Sequence, residues 1–200
     1  MLIVICKKKI YNFLLFAEMS VPSDIVIKAG LPKPVEPLEW LIGKWRCENT
    51  GNGQFPTIQS FNYGEELVFS NVGQPMLNVS SFTWHPESKI PMHQEVGFLR
   101  IKPGTNQVSL LLSHNFGLTS IEEGTVDGHS IVLESKNISR IAFAKEPEVK
   151  KLNRTIKLLD DKLVQTISWR QVRPHWQSIW KLYISNQIIK LEFFFISCLL

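Results

Sequence analysis

The sequence lacks the short motifs by which many enzymes are read. It has no phosphate-cradling glycine loop: Gly51 and Gly53 come nearest, and two glycines do not make a dinucleotide-binding turn. It has no Gly-x-Ser-x-Gly elbow and no His-Glu-x-x-His helix, which removes the common hydrolase and metalloprotease arrangements. Only three cysteines are present, Cys6, Cys47 and Cys198, at no metal-ligand spacing and in an odd number, which argues against a disulfide framework and for a reducing compartment, cytoplasmic or nuclear. No apolar run approaches the roughly 20 residues that cross a bilayer. The net charge of +4 is too mild for a nucleic-acid stripe, and the basic clusters at Lys7 to Lys9, Lys150 to Arg154 and Arg170 to Arg173 read as solvated faces. Long helical periodicity is missing too, as are internal repeats and low-complexity tracts.

What is present is strand after strand. A polar lead over Ser20 to Lys33 precedes one short helical turn, Pro34 to Ile42, with Leu38, Leu41 and Ile42 on one side and Gly43 as its stop. This turn is placed to plug one end of a barrel. Trp45 to Glu48 opens the strands, and Gly51-Asn52-Gly53 reads as a tight turn before a Phe55-Pro56-Thr57 corner. Runs then follow at Thr57 to Ser70, Met76 to Trp84, Met92 to Ile101, Val108 to Ser113, Leu118 to Val126, Ile131 to Ser135, Val149 to Leu158, Leu163 to Arg170 and Trp176 to Ile184. Asp127-Gly128 is a two-residue hairpin signal. Ten short strands spaced by turn residues predict an all-β antiparallel barrel or sandwich, and ten strands closed on themselves leave room for a ligand.

Candidate chemistry is sparse. No two of His85, His93, His114, His129 and His175 stand at ligand spacing in the sequence, so a zinc site is not expected. His85 and His129 fall in turns and read as exposed. His93 and Glu95 share a strand face and read as an outer polar pair. His114 opens a turn at a barrel end, where it either caps a pocket or meets water. Glu122, Glu123 and Glu134 have no partner nearby in sequence and read as surface groups. Trp169, Trp176 and Trp180 suit a cavity wall or plain core packing.

Several stretches resemble the nitrobindin family: Pro37-Leu38-Glu39-Trp40-Leu41-Ile42-Gly43-Lys44-Trp45, Phe55-Pro56-Thr57-Ile58, Phe61-x-Tyr63-x-Glu65-Glu66, Gly73-Gln74-Pro75-Met76-Leu77, Pro91-Met92-His93-x-Glu95-x-Gly97-Phe98-x-Arg100 and Ala142 to Pro147. The likeness runs from about Val35 to Tyr183 and is strongest to the metazoan branch, in which the domain follows a THAP-type zinc finger that this sequence does not show. The resemblance implies a ten-stranded antiparallel barrel of fatty-acid-binding-protein or lipocalin-like shape. It divides the chain into an N-terminal extension, 1–33, expected to be poorly ordered, a barrel domain, 34–184, and an apolar C-terminal extension, 185–200. Both ends are expected to lie outside the functional domain, with Met19 as the working start.

By the same resemblance the cofactor is haem b, bound in the cavity as ferric haem, and the small-molecule ligands are nitric oxide and peroxynitrite, the latter isomerised to nitrate. No nucleic acid and no membrane span are expected, and a homodimer is allowed. Thr57 is expected to contact the haem. The family's axial histidine aligns with Ser178, and His175 three residues earlier is the candidate iron ligand in its place. The alternative is a barrel that has lost iron ligation and holds another small hydrophobic molecule or acts as an interaction module.

Overall fold

The computed structural model describes residues 1–9, 30–55, 58–71, 73–144 and 148–171. Ten strands form one closed antiparallel barrel: β1 (Leu2–Lys9), β2 (Gly43–Phe55), β3 (Ile58–Asn71), β4 (Met76–Trp84), β5 (Pro91–Ile101), β6 (Gln107–His114), β7 (Leu118–Asp127), β8 (Ser130–Arg140), β9 (Val149–Leu159) and β10 (Lys162–Gln171). Strands β2 to β10 run as sequential neighbours, and β1 closes the ring between β10 and β2. Among the described residues, closure leaves no edge strand to pair with another chain. Among the described residues no helix is long and apolar enough to cross a membrane.

One end is plugged. A 3-10 helix, Lys33–Leu41, starts with proline in its first turn, where a missing N–H costs nothing. Three residues per turn place Val35, Leu38 and Leu41 on one face, and all three are fully buried in the core with Leu77, Leu99 and Ile131. Each such side chain contributes about 1.5–3 kcal/mol by leaving water. This face differs slightly from the expected Leu38, Leu41 and Ile42, because the helix is a 3-10 turn throughout. Gly43 ends it at φ +132°, and the indole Nε1 of Trp45 donates to Leu41 O at 2.7 Å, tying the plug to β2. Trp40 rests against His129 in the β7–β8 turn, which fixes the helix at that end of the barrel.

Three expectations are corrected here. Leu2–Lys9, part of the lead expected to be poorly ordered, forms β1, with Ile3, Val4 and Cys6 buried. Gly51-Asn52-Gly53 is not a turn: β2 runs through it to Phe55, and Phe55 pairs with Ile58. The glycines serve a different purpose. A Cβ on Gly51 or Gly53 would stand 2.5 Å from the ring of Tyr63 or Phe61 across the ladder, so two aromatics of β3 lie flat over bare backbone. The hairpin after β7 turns at Gly128-His129, one residue later than read, with Asp127 opposite Ser130. The expected strand at residues 176–184 lies outside the described residues, and β10 already has β9 on one side and β1 on the other.

Candidate functional site

The end opposite the helix holds a cavity of about 480 Å³. Strand periodicity builds it in two layers. Toward the mouth stand Met92, Phe116, Leu118, Leu152, Ile167 and Trp169. Deeper, the inward positions of successive strands carry Glu65, Ser81, Glu95, His114, Arg154 and Gln165. The same parity that buries Leu99 and Ile101 on β5 buries Glu95, and the parity that buries Leu152 and Ile156 on β9 buries Arg154.

Charge inside a barrel demands partners. Arg154 donates from Nε to Glu122 Oε2 at 2.9 Å and from Nη2 to Glu122 Oε1 at 3.2 Å. Its Nη1 reaches Gln165 Oε1 at 3.0 Å and Glu95 Oε2 at 3.2 Å. Burial opposes the charge on Arg154, but Glu122 and Glu95 more than restore it and raise its pKa. Burial likewise opposes ionisation of Glu95, yet Arg154, His114 and His93 together hold its carboxyl well below the usual carboxylate range. Glu65 is different: burial, only partly offset by the 2.6 Å hydrogen bond from Ser81 Oγ, pushes it up to about 8.

Two histidines stand on the cavity wall beside Glu95. His93 Nε2 lies 2.9 Å from Glu95 Oε1, and His114 Nδ1 lies 3.3 Å both from that oxygen and from His93 Nε2. Phe116 stacks against both imidazoles, at 4.9 and 5.4 Å between ring centres. Asn115 clamps the strand ends that carry them. Its Nδ2 donates to Met92 O at 3.0 Å, its Oδ1 accepts from Gln94 N at 3.2 Å, and its own N–H donates to Gln94 O at 3.0 Å.

These positions overturn three sequence expectations. The His93–Glu95 pair faces the cavity, not the outside, because it shares parity with Leu99 and Ile101. Glu122 is fully buried, while Glu123 and Glu134 are exposed as expected. His93 and His114, 21 residues apart, meet because Glu95 pairs directly with His114 across β5 and β6, so the histidines do assemble at ligand distance. Of the two readings of His114, the structure bears out the pocket position. His85 and His129 are exposed in turns.

The residues singled out from the resemblance, Thr57, His175 and Ser178, lie outside the described residues. Their described flanks are at the cavity end: Phe61 and Gln171 both line it. The buried ionic layer was missed although its parity was visible. Leu118, Ser120, Glu122 and Val126 alternate in one register, and a carboxylate in such a row either faces the core with a partner or breaks the strand.

Residues 34–180 match the model of the THAP4-like, heme-binding beta-barrel domain. The chain is similar to "Peroxynitrite isomerase THAP4" of Rattus norvegicus, 50% identical over 135 residues, which are 67% of this chain and 24% of that protein. The Homo sapiens protein of the same name is 47% identical over 135 residues, 67% of this chain and 23% of that protein. The chain therefore spans about a quarter of the length of these curated relatives. An Arabidopsis thaliana protein named "Peroxynitrite isomerase Rv2717c" is 35% identical over 151 residues, 72% of this chain and 86% of that protein. The crystal structure of Rv2717c from M. tuberculosis superposes with a TM-score of 0.64 at 34% identity, covering 74% of this chain and 94% of that one.

Proposed function

The chain belongs to the THAP4-like, heme-binding β-barrel family, and from that membership we propose that its cavity binds haem b in the ferric state and isomerises peroxynitrite to nitrate. The observation that carries the reading is the cavity of about 480 Å³ inside the matched residues, with an apolar collar and imidazoles in its wall. That lining fits the group: large apolar side chains receive a flat macrocycle, and nitrogen donors are within the same space. Thr57 would contact the macrocycle, and His175 would hold the iron, since Ser178 aligns with the iron-binding histidine that the family resemblance implies. When bound, the haem supplies an open iron position for nitric oxide and peroxynitrite.

The chain's own residues set the surroundings. Phe116, Leu118 and Trp169 give the cavity an apolar lining. His93, one quarter exposed, offers its Nε2 at the boundary between water and the buried layer. Arg154 is neutralised by Glu95 and Glu122, so it holds the pocket together and does not attract anions.

A second reading rests on Ser178, whose hydroxyl is a poor iron ligand beside imidazole. On it, the cavity takes another small hydrophobic molecule without iron. Haem reconstitution separates the two. A Soret band at one haem per chain, lost in His175→Ala, supports the first, and no Soret band supports the second.

A further inference from the structure

Register and pleat bring three donor atoms of β5 and β6 to one point of the cavity wall. His93 and Glu95 are two residues apart on one face, and Glu95 is the direct ladder partner of His114. We infer that His93 Nε2, His114 Nδ1 and Glu95 Oε1 form a two-histidine, one-carboxylate site for a divalent first-row transition metal, with Fe(II) and Zn(II) as its natural candidates, apart from any haem.

The spacing fits a metal. The three separations are 2.9, 3.3 and 3.3 Å. Donors about 2.1 Å from a common ion at these separations subtend roughly 90° to 105°, the angles of three ligands on one face of a coordination polyhedron. The remaining positions open toward the cavity.

Proton counting gives the second argument. Ser120 Oγ donates to the Glu122 carboxylate at 3.1 Å, so toward His114 Nε2, 3.2 Å away, it accepts. A metal ion takes His114 through Nδ1 with that ring's proton on Nε2, facing Ser120 Oγ, and takes His93 through Nε2 with its proton on Nδ1. In that state the cation meets the lone pairs of His93 Nε2, His114 Nδ1 and Glu95 Oε1 at once. The chain His114–Ser120–Glu122–Arg154 is then the outer shell that fixes a ligand's tautomer and direction.

Charge gives the third. Arg154 meets Glu95 at Oε2, 3.2 Å away, and reaches Oε1 only at 3.4 Å, which leaves Oε1 for a cation. Two carboxylates, Glu95 and Glu122, face one guanidinium here, which leaves one negative charge for the imidazoles or a cation to offset.

The test is Co²⁺ titration of the purified full chain, prepared free of haem and followed by visible d–d absorption. We expect one tightly held Co²⁺ per chain, displaced by Zn²⁺, with no thiolate charge-transfer band. His93→Ala and His114→Ala should each weaken binding about 100-fold or more, Ser120→Ala about 10-fold, and His85→Ala and His129→Ala not at all. His93 is partly exposed, so its variant remains informative if the buried His114→Ala fails to fold. No Co²⁺ spectrum, or equal affinity in wild type and His93→Ala, overturns the site. Because the titration uses haem-free protein, a chain that takes up haem but no Co²⁺ overturns only this inference. A chain that takes up Co²⁺ through these residues but no haem supports it while refuting the haem reading.

Discussion

Arg154 and Glu122 lock together inside the barrel, Nε standing 2.9 Å from Oε2 with both side chains shut away from water. The pair joins β9 to β7 across the interior, and Glu95 extends it to β5. A charge cannot be left alone there. Arg154→Met keeps the aliphatic stem but strands two carboxylates, and breaking such a pair costs about 3–5 kcal/mol. Urea unfolding at neutral pH should show that loss. The sign with pH follows from Glu95, whose carboxyl is depressed chiefly by Arg154 against the opposing effect of burial. Its stabilising contribution is present above the unfolded carboxyl value of 4.5 and is lost as pH falls through the folded value. The deficit of Arg154→Met should therefore shrink as the medium is acidified. A deficit that stays constant with pH would show that Arg154 contributes packing alone.

Glu65 titrates with the opposite sign. Burial raises it from 4.5 to about 8, and the Ser81 hydrogen bond recovers only part of that. Its contribution to stability is fully present below about pH 4.5 and drains away as pH rises to about 8, after which it is flat. The slope from this one group is at most about 1.4 kcal/mol per pH unit. Glu65→Gln keeps the shape and a hydrogen bond to Ser81 while removing the titration. Thermal melts of the two proteins across this window should converge at acid pH and diverge at alkaline pH, with the variant the more stable. Parallel curves would mean that Glu65 is solvated in the folded protein.

The alternation of apolar residues made most strands legible, and glycine and Asx residues marked most turns. Misreadings came where one local signal had two physical uses. Gly51 and Gly53 look like turn residues, but they are bare backbone under Tyr63 and Phe61. Asp127-Gly128 marked the right hairpin one residue early. Charged residues were read as surface because they almost always are, and only their parity with Leu99, Val126 and Ile156 marked Glu95, Glu122 and Arg154 as inward. The meeting of His93 with His114 depends on the β5–β6 register, which no local pattern spells out. Thr57, His175 and Ser178 came from family resemblance and not from any pattern of the strands, and they fall outside the described residues.

Cys6 and Cys47 provide a test of β1 itself. Cys6 of β1 and Cys47 of β2 adjoin the Lys7–Arg46 pair, where the ladder shifts register, and both side chains are buried. The Cys6 S–H donates to Glu65 O at 4.0 Å, and the neighbouring Cys47 together with burial raises the Cys6 thiol. Directly opposed residues on neighbouring strands have Cβ atoms about 4.5–5.5 Å apart, and a disulfide needs about 3.5–4.5 Å, so a small shift brings them within bonding range. Two thiols lose two electrons and two protons to an added oxidant such as diamide, which is reduced to its hydrazine. The product should be a single intrachain Cys6–Cys47 link, found as a joined peptide after non-reducing digestion and absent in Cys6→Ser. Closing a loop of this length restricts the unfolded chain and should stabilise the barrel by about 3–4 kcal/mol, reversed by dithiothreitol. If diamide yields no such peptide while both thiols remain reactive after denaturation, Leu2–Lys9 does not sit between β10 and β2 in solution.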